Sequence, residues 1–324
     1  MDRMPRISSI VLSIVLTTIA ANFCHAGNDE AADLRLRVKN TEVLRYTWTI
    51  TSSSVSSGRE QGNPFTRTND LVLNMLLQLK GLPPKGEATP LSIRLQNINY
   101  TRSELVADEK RDTVVSREKV KFTVNGKVVV DSENDVGTEF VNKFLDELKI
   151  LENSEAHTMV DGAGRQTQLE GDSALVETFR SGGAHTIFPL LAGKSVKPGE
   201  SWQDAFDLPV IGDFKLAKPA VIRSKITFAK WETKNGRRLA QIDLVSAMEH
   251  TDLNGENPKG VLAEISHVND IIAATCLFDP ATGHFIEGTI NNEVKYHIDA
   301  EQDTERFGLD VTGKSAISFV LKEK

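Results

Sequence analysis

Cysteine is almost missing from this 324-residue chain, which contains Cys24 and Cys276 and no others. Should the N-terminal segment be removed, Cys276 stands alone, so no intramolecular disulfide can hold the fold and its stability must come from the core. Basic residues are outnumbered, with 38 Lys and Arg against 45 Asp and Glu and a net charge of −7. The densest basic stretch, Lys119, Lys121 and Lys127, alternates with apolar residues like a solvated strand face. Phosphate backbones are bound by clustered cations, so nucleic acid is excluded as a partner. No uncharged apolar run reaches the roughly 20 residues that a spanning helix needs, so no membrane span is expected after processing. Catalytic and metal signatures are missing as well. His157, His185, His250, His267, His284 and His297 form no His-x-x-x-His or His-x-His pair, and no Gly-x-Ser-x-Gly elbow or phosphate-cradling glycine loop occurs. Gly171-Asp172-Ser173 lacks the Asp-x-x-His that would supply a base and reads as a helix cap. These absences leave no catalytic, cofactor or metal residues to nominate and point to a non-enzymatic protein.

What is present begins with a three-zone N-terminus: Arg3 and Arg6, an apolar stretch from Ile7 to Ala21, and the small-residue exit Cys24-His25-Ala26. This is the pattern of a secretory signal peptide over residues 1–26, predicting an exported, periplasmic or secreted chain that starts at Gly27. Period-two alternation then recurs along the chain. Leu44, Tyr46, Trp48 and Ile50 share one face, Val120, Phe122 and Val124 lead into the hairpin turn Asn125-Gly126, and Ile222, Ser224, Ile226 and Phe228 precede the turn Asn235-Gly236. Cys276 falls on an apolar strand face with Ile272, Ala274 and Phe278, as a buried thiol. Three helices are predicted: an almost wholly apolar one over 69–80, an amphipathic one over 135–151, and a short one over 173–180. Prolines and glycines in 189–201 set a boundary near 192. The expected architecture is α+β, mostly antiparallel β: a curved sheet packed against two or three helices in residues 27–192, and an all-β meander in residues 193–324. The two parts are either separate or one continuous domain.

The stretch Phe188 to Trp202, FPLLAGKSVKPGESW, resembles a segment of an uncharacterised exported β-rich domain family of bacteria, in which a proline leads through a loop to Val-Lys-x-Gly-x-x-Trp. Met159-Val160-Asp161-Gly162 and Phe278-Asp279 with Thr282-Gly283 add looser agreement. The resemblance implies an envelope or secreted location and a β-rich body, and it brings no activity or ligand. Pro198 and Gly199 are read as the turn and Trp202 as the residue packing where the next strand starts. Two function classes follow: an envelope-associated interaction or structural module, or a carrier of an apolar ligand such as a lipid. The carrier reading places the ligand between the sheet and helix 69–80, with Leu71, Leu73, Met75, Leu76 and Leu79 as the candidate apolar-ligand or partner surface.

Overall fold

The computed structural model describes residues 30–60, 63–84, 86, 88–176, 187–211, 214–248, 252–258, 260–302 and 305–322. The expected signal peptide and the end of the third helix, 177–180, lie outside them. Among the described residues one antiparallel sheet of 15 strands dominates. Its central strands are long: β2 (Val43–Glu60), β3 (Asn63–Gly81), β4 (Thr89–Val106), β12 (Phe214–Lys234), β15 (Leu262–Asp279), β16 (His284–Gln302) and β17 (Glu305–Leu321). Shorter members are β5 (Glu109–Val115), β6 (Val120–Val124), β7 (Lys127–Asp131), β8 (Ala156–Val160), β9 (Gln166–Gly171), β11 (Ser201–Ile211), β13 (Arg237–Met248) and β14 (Leu253–Glu256). The order is β11-β12-β13-β15-β16-β17-β2-β3-β4-β5-β6-β7, with β14 between β12 and β15, and with β8 and β9 added beside β4. Pairing of β17 with β2 carries the ladder across the predicted boundary at 192. A separate two-stranded pair joins β1 (Ala32–Asp33) to β10 (Ser195–Val196).

The predicted turns form as their residues dictate. Asn125 and Gly126 take φ of 50° and 75°, and Asn235 and Gly236 take 51° and 73°, the paired positive angles that only such residues adopt cheaply. The amphipathic helix is also present, as α1 (Thr138–Asn153), burying Val141, Leu148 and Leu151. Residues 173–176 make a short helical turn after Asp172.

The apolar helix expected over 69–80 does not exist: that segment is strand β3, hydrogen-bonded to β2 on one side and β4 on the other. Leu71, Leu73, Met75, Leu77 and Leu79 hold a period-two face, and Val72 and Leu76 add apolar residues to the reverse face, which gives the segment its all-round apolar look. Leucine's mild helix propensity loses here to pairing with two long neighbours. With β3 a strand, the packed helices among the described residues reduce to α1 and the turn at 173–176, and the fold is mostly antiparallel β rather than α+β in balance.

One face of the curved sheet carries the core. At one end, Phe188 stands with its ring centroid 4.8 Å from Tyr46 and 5.0 Å from both Phe285 and Phe319. The Tyr46 hydroxyl donates to the Phe285 carbonyl at 3.0 Å. Leu190 and Leu191 are buried beside it, and Trp202 Nε1 donates to the Leu190 carbonyl at 3.2 Å, so the segment with the family resemblance is folded into the concavity. Pro198 and Gly199 precede β11, where the Gly199 N–H reaches the Phe228 carbonyl at 2.7 Å. Ala32, Leu34, Leu36 and Val38 alternate into the same core, with Leu34 N–H bonded to the Lys194 carbonyl and Leu36 N–H to that of Gly162. Arg165, in the turn after β8, bonds Asp204 of β11 at 2.6 Å, drawing the two flanks of the sheet together.

Candidate ligand-binding site on the concave face

Because side chains alternate across a strand, ladder partners stack into transverse rows on the core face. Two apolar rows lie at the Phe188 end. The second of them runs Ile226, Leu244, Ala274, Ile290, Ile317, Ile50, Leu73, Tyr100 and Val115. One step further along every strand the chemistry changes. The next row reads Asp204, Ser224, Ser246, Ile272, Asn292, Ser315, Ser52, Leu71, Arg102 and Thr113, a polar band interrupted by two aliphatic residues. Beyond it a second, smaller apolar cluster gathers Phe214, Leu216, Ile265 and Ile298. The band therefore lies between two apolar regions of one face.

Small residues floor its middle: Ser315 and Gly313 on β17, then Ser52, Ser54, Ser56 and Gly58 on β2. Ser52, Ser54 and Ser56 are half-buried, as are Val311 and Leu309 opposite Ser56 and Gly58, so the face opens here after the sealed rows at the Phe188 end.

The two sides of this floor differ in how their polar groups are satisfied. On the β3–β4 side, Arg102 Nε donates to Asn69 Oδ1 at 2.5 Å, and Glu104 pairs with both Arg102 and Arg67. Burial lowers the pKa of Arg102, with Glu104 opposing. That side is closed upon itself. On the β15–β16 side, Asn292 is only 3% exposed, and both its Oδ1 and its Nδ2 are sealed from solvent without a hydrogen-bond partner. No other side chain with a sealed, unpartnered atom has both polar atoms so placed among the described residues. Asp270, whose ladder partner is Val294, is its diagonal neighbour on the same face, a separation of about 7 to 8 Å in a regular pair. Its Oδ1 is likewise sealed and unpartnered, and burial lifts the carboxyl to about 6. Elsewhere on that side Ser224 and Ser246 satisfy each other at 2.7 Å.

A buried amide left unmatched is costly, about 1 to 3 kcal/mol, and beside it Asp270 is half-buried with one oxygen sealed and unpartnered. Such a pair would hold, once the side chains that seal it turn aside, a molecule that supplies hydrogen-bond donors and an acceptor, with its body against Ile272, Val294 and Tyr296. An open cleft of about 1420 Å³ lies near Lys215, Gly255, Glu256 and Ala300, but among the described residues no sealed, unpartnered side-chain atom lines it.

Of the residues nominated from sequence, Leu71 alone stands in the row of the polar band, where it is itself buried. Leu73 and Leu79 are buried in the core, Met75 packs against it, and Leu76 points to the opposite face of β3. Trp202 is part-buried against the core. Asn292 and Asp270 were missed, although each is a polar residue on an otherwise apolar strand face: Ile290, Asn292, Val294, Tyr296, Ile298 on β16, and Asp270, Ile272, Ala274, Cys276 on β15. No cluster of His, Cys, Asp and Glu suited to a metal ion occurs among the described residues. No protein-family model matches the chain, and no curated protein matches it in sequence.

Proposed function

We propose that this chain is an exported, non-catalytic binding protein that carries a small amphiphilic molecule on the concave face of its sheet. The observation that carries the reading is Asn292, an amide buried in the interior with neither of its polar atoms matched by the protein. Protein interiors pair their polar groups, so an orphaned amide beside a half-buried carboxyl with one orphaned oxygen is accounted for by a guest that pairs them. Export is inferred from residues 1–26, with a periplasmic, secreted or envelope location, and the polar reverse face of β2 (Arg45, Thr47, Thr49, Thr51 and Ser53) suits an aqueous surrounding. The lipid expected between the sheet and a helix over 69–80 has lost its helix, and the site moves to the β15–β16 side.

A second reading, an envelope interaction or structural module, draws support from the Phe188 end, where the protein's own side chains fill the interior. Native mass spectrometry of the protein purified from the cells that make it separates the two. The carrier reading expects a polypeptide starting at Gly27 with one small-molecule adduct, lost in a folded Asn292→Leu variant. A clean apo mass for the wild type, with Asn292→Leu only raising stability, would favour the interaction module.

A further inference from the structure

The chemistry of the guest can be narrowed, on the premise that the concave face does bind one. Asp270 is a carboxyl with a sealed, unpartnered oxygen. On its own face the described residues of the flanking strands present uncharged groups: Val294 opposite it, Asn292 diagonal to it, and Ser246 across from the neighbouring Ile272. The cation of the same band, Arg102, and Arg67 beyond it are engaged by Glu104 on the far side of the serine floor. An anionic headgroup would meet an unscreened carboxylate, and a neutral hydroxyl would match the hydrogen bond and leave the charge uncompensated. An ammonium group supplies the missing charge and several donors at once, one for Asp270 and one for Asn292 Oδ1. Asn292 Nδ2 then remains as a donor for a hydroxyl or carbonyl adjacent to the amine. The aliphatic and aromatic surface of Ile272, Val294 and Tyr296 is suited to an apolar body.

We infer that the site between β15 and β16 takes a primary ammonium group on an apolar body, with Asp270 as its counter-ion and Asn292 as its hydrogen-bond partner. Calorimetric titration at pH 7.5 with dodecylamine, dodecanol and dodecanoate, each below its micellar concentration, tests this. Dodecylamine should bind at least tenfold more tightly than the other two, and Asp270→Asn should reduce its affinity to that of dodecanol while near-ultraviolet circular dichroism stays native. The net charge of −7 attracts any amine weakly, so the Asp270→Asn comparison decides. Equal binding of dodecanoate, or unchanged dodecylamine affinity in Asp270→Asn, would overturn the ammonium assignment and leave the binding reading standing. Failure of all three probes to bind, together with a clean apo mass from the native source, would remove both.

Discussion

Replacing Asp270 by asparagine should change how stability depends on pH in a calculable way. Burial raises the carboxyl from 3.8 to about 6. A rise of about two pH units corresponds to about 3 kcal/mol, at about 1.4 kcal/mol for each unit. Since the native state holds this proton more tightly than the unfolded chain does, the group favours folding while protonated. Stability falls as pH climbs from about 4 to about 6 and is flat beyond that window. Asparagine keeps the shape and has no charge to acquire. It retains an unmatched polar group, which shifts the baseline equally at every pH. Urea unfolding of both proteins at pH 4, 5, 6 and 7.5 should give a difference, variant minus wild type, that grows by about 2.5 kcal/mol between the lowest and highest pH, the unfolded carboxyl being already part-ionised at pH 4. Other titrating groups, His284 and His297 among them, cancel in the subtraction. The protein should first be refolded from urea, because a retained amine would pull the carboxyl back down and hide the effect. A difference that stays level across the range would mean that Asp270 is solvated or paired, and the argument for the site would lose its charge.

Two further substitutions probe the frame around the site. A Cβ at Gly288 would stand 2.5 Å from both Cys276 Sγ and the Phe319 ring, so Gly288→Ala should cost about 1 to 3 kcal/mol by overpacking, read from the urea midpoint at unchanged slope. Phe188→Ala should cost about 3 to 5 kcal/mol, because its ring is packed against Tyr46, Trp48, Phe285 and Phe319; a change below about 1 kcal/mol would mean that the 187–191 segment is not part of the core.

Where sequence and structure agree, local chemistry decides the conformation. Asn-Gly turns, the alternation in β2, β6 and β12, and the helical stripe of α1 each depend on residues within one or two elements. The misreading of 69–80 has the opposite cause. Its inward face, Leu71 to Leu79 at every second residue, is an ordinary strand pattern, but Val72 and Leu76 on the reverse face complete a convincing helical surface. Partners from outside the segment, β2 and β4, decide between the two, and a window confined to it does not contain them. Ala32, Leu34, Leu36 and Val38 make a related point, since they alternate and yet form no long strand. They alternate because one side of an extended segment packs into the core at the end of the sheet.

The site was hidden for a reason of register. Ser52 follows Ile50, Ser246 follows Leu244, Asn292 follows Ile290, and Ser315 precedes Ile317; in β2, β13 and β17 taken alone this is an apolar run giving way to polar residues, and in β16 it is one polar residue within an apolar run. Nothing in a single strand distinguishes that from a strand emerging into solvent. The ladder does, because it sets all four side by side in one row and leaves apolar residues on the far side of the row. A change from apolar to polar that occurs at the same level in successive strands, and then reverses, belongs to the sheet as a whole. Such a band costs stability wherever its members cannot satisfy one another, and most of them do: Ser224 with Ser246, and Arg102 with Asn69 and Glu104. Among the described residues the exceptions are Asn292 in the band and Asp270 diagonal to it, so the binding hypothesis stands or falls on those two residues.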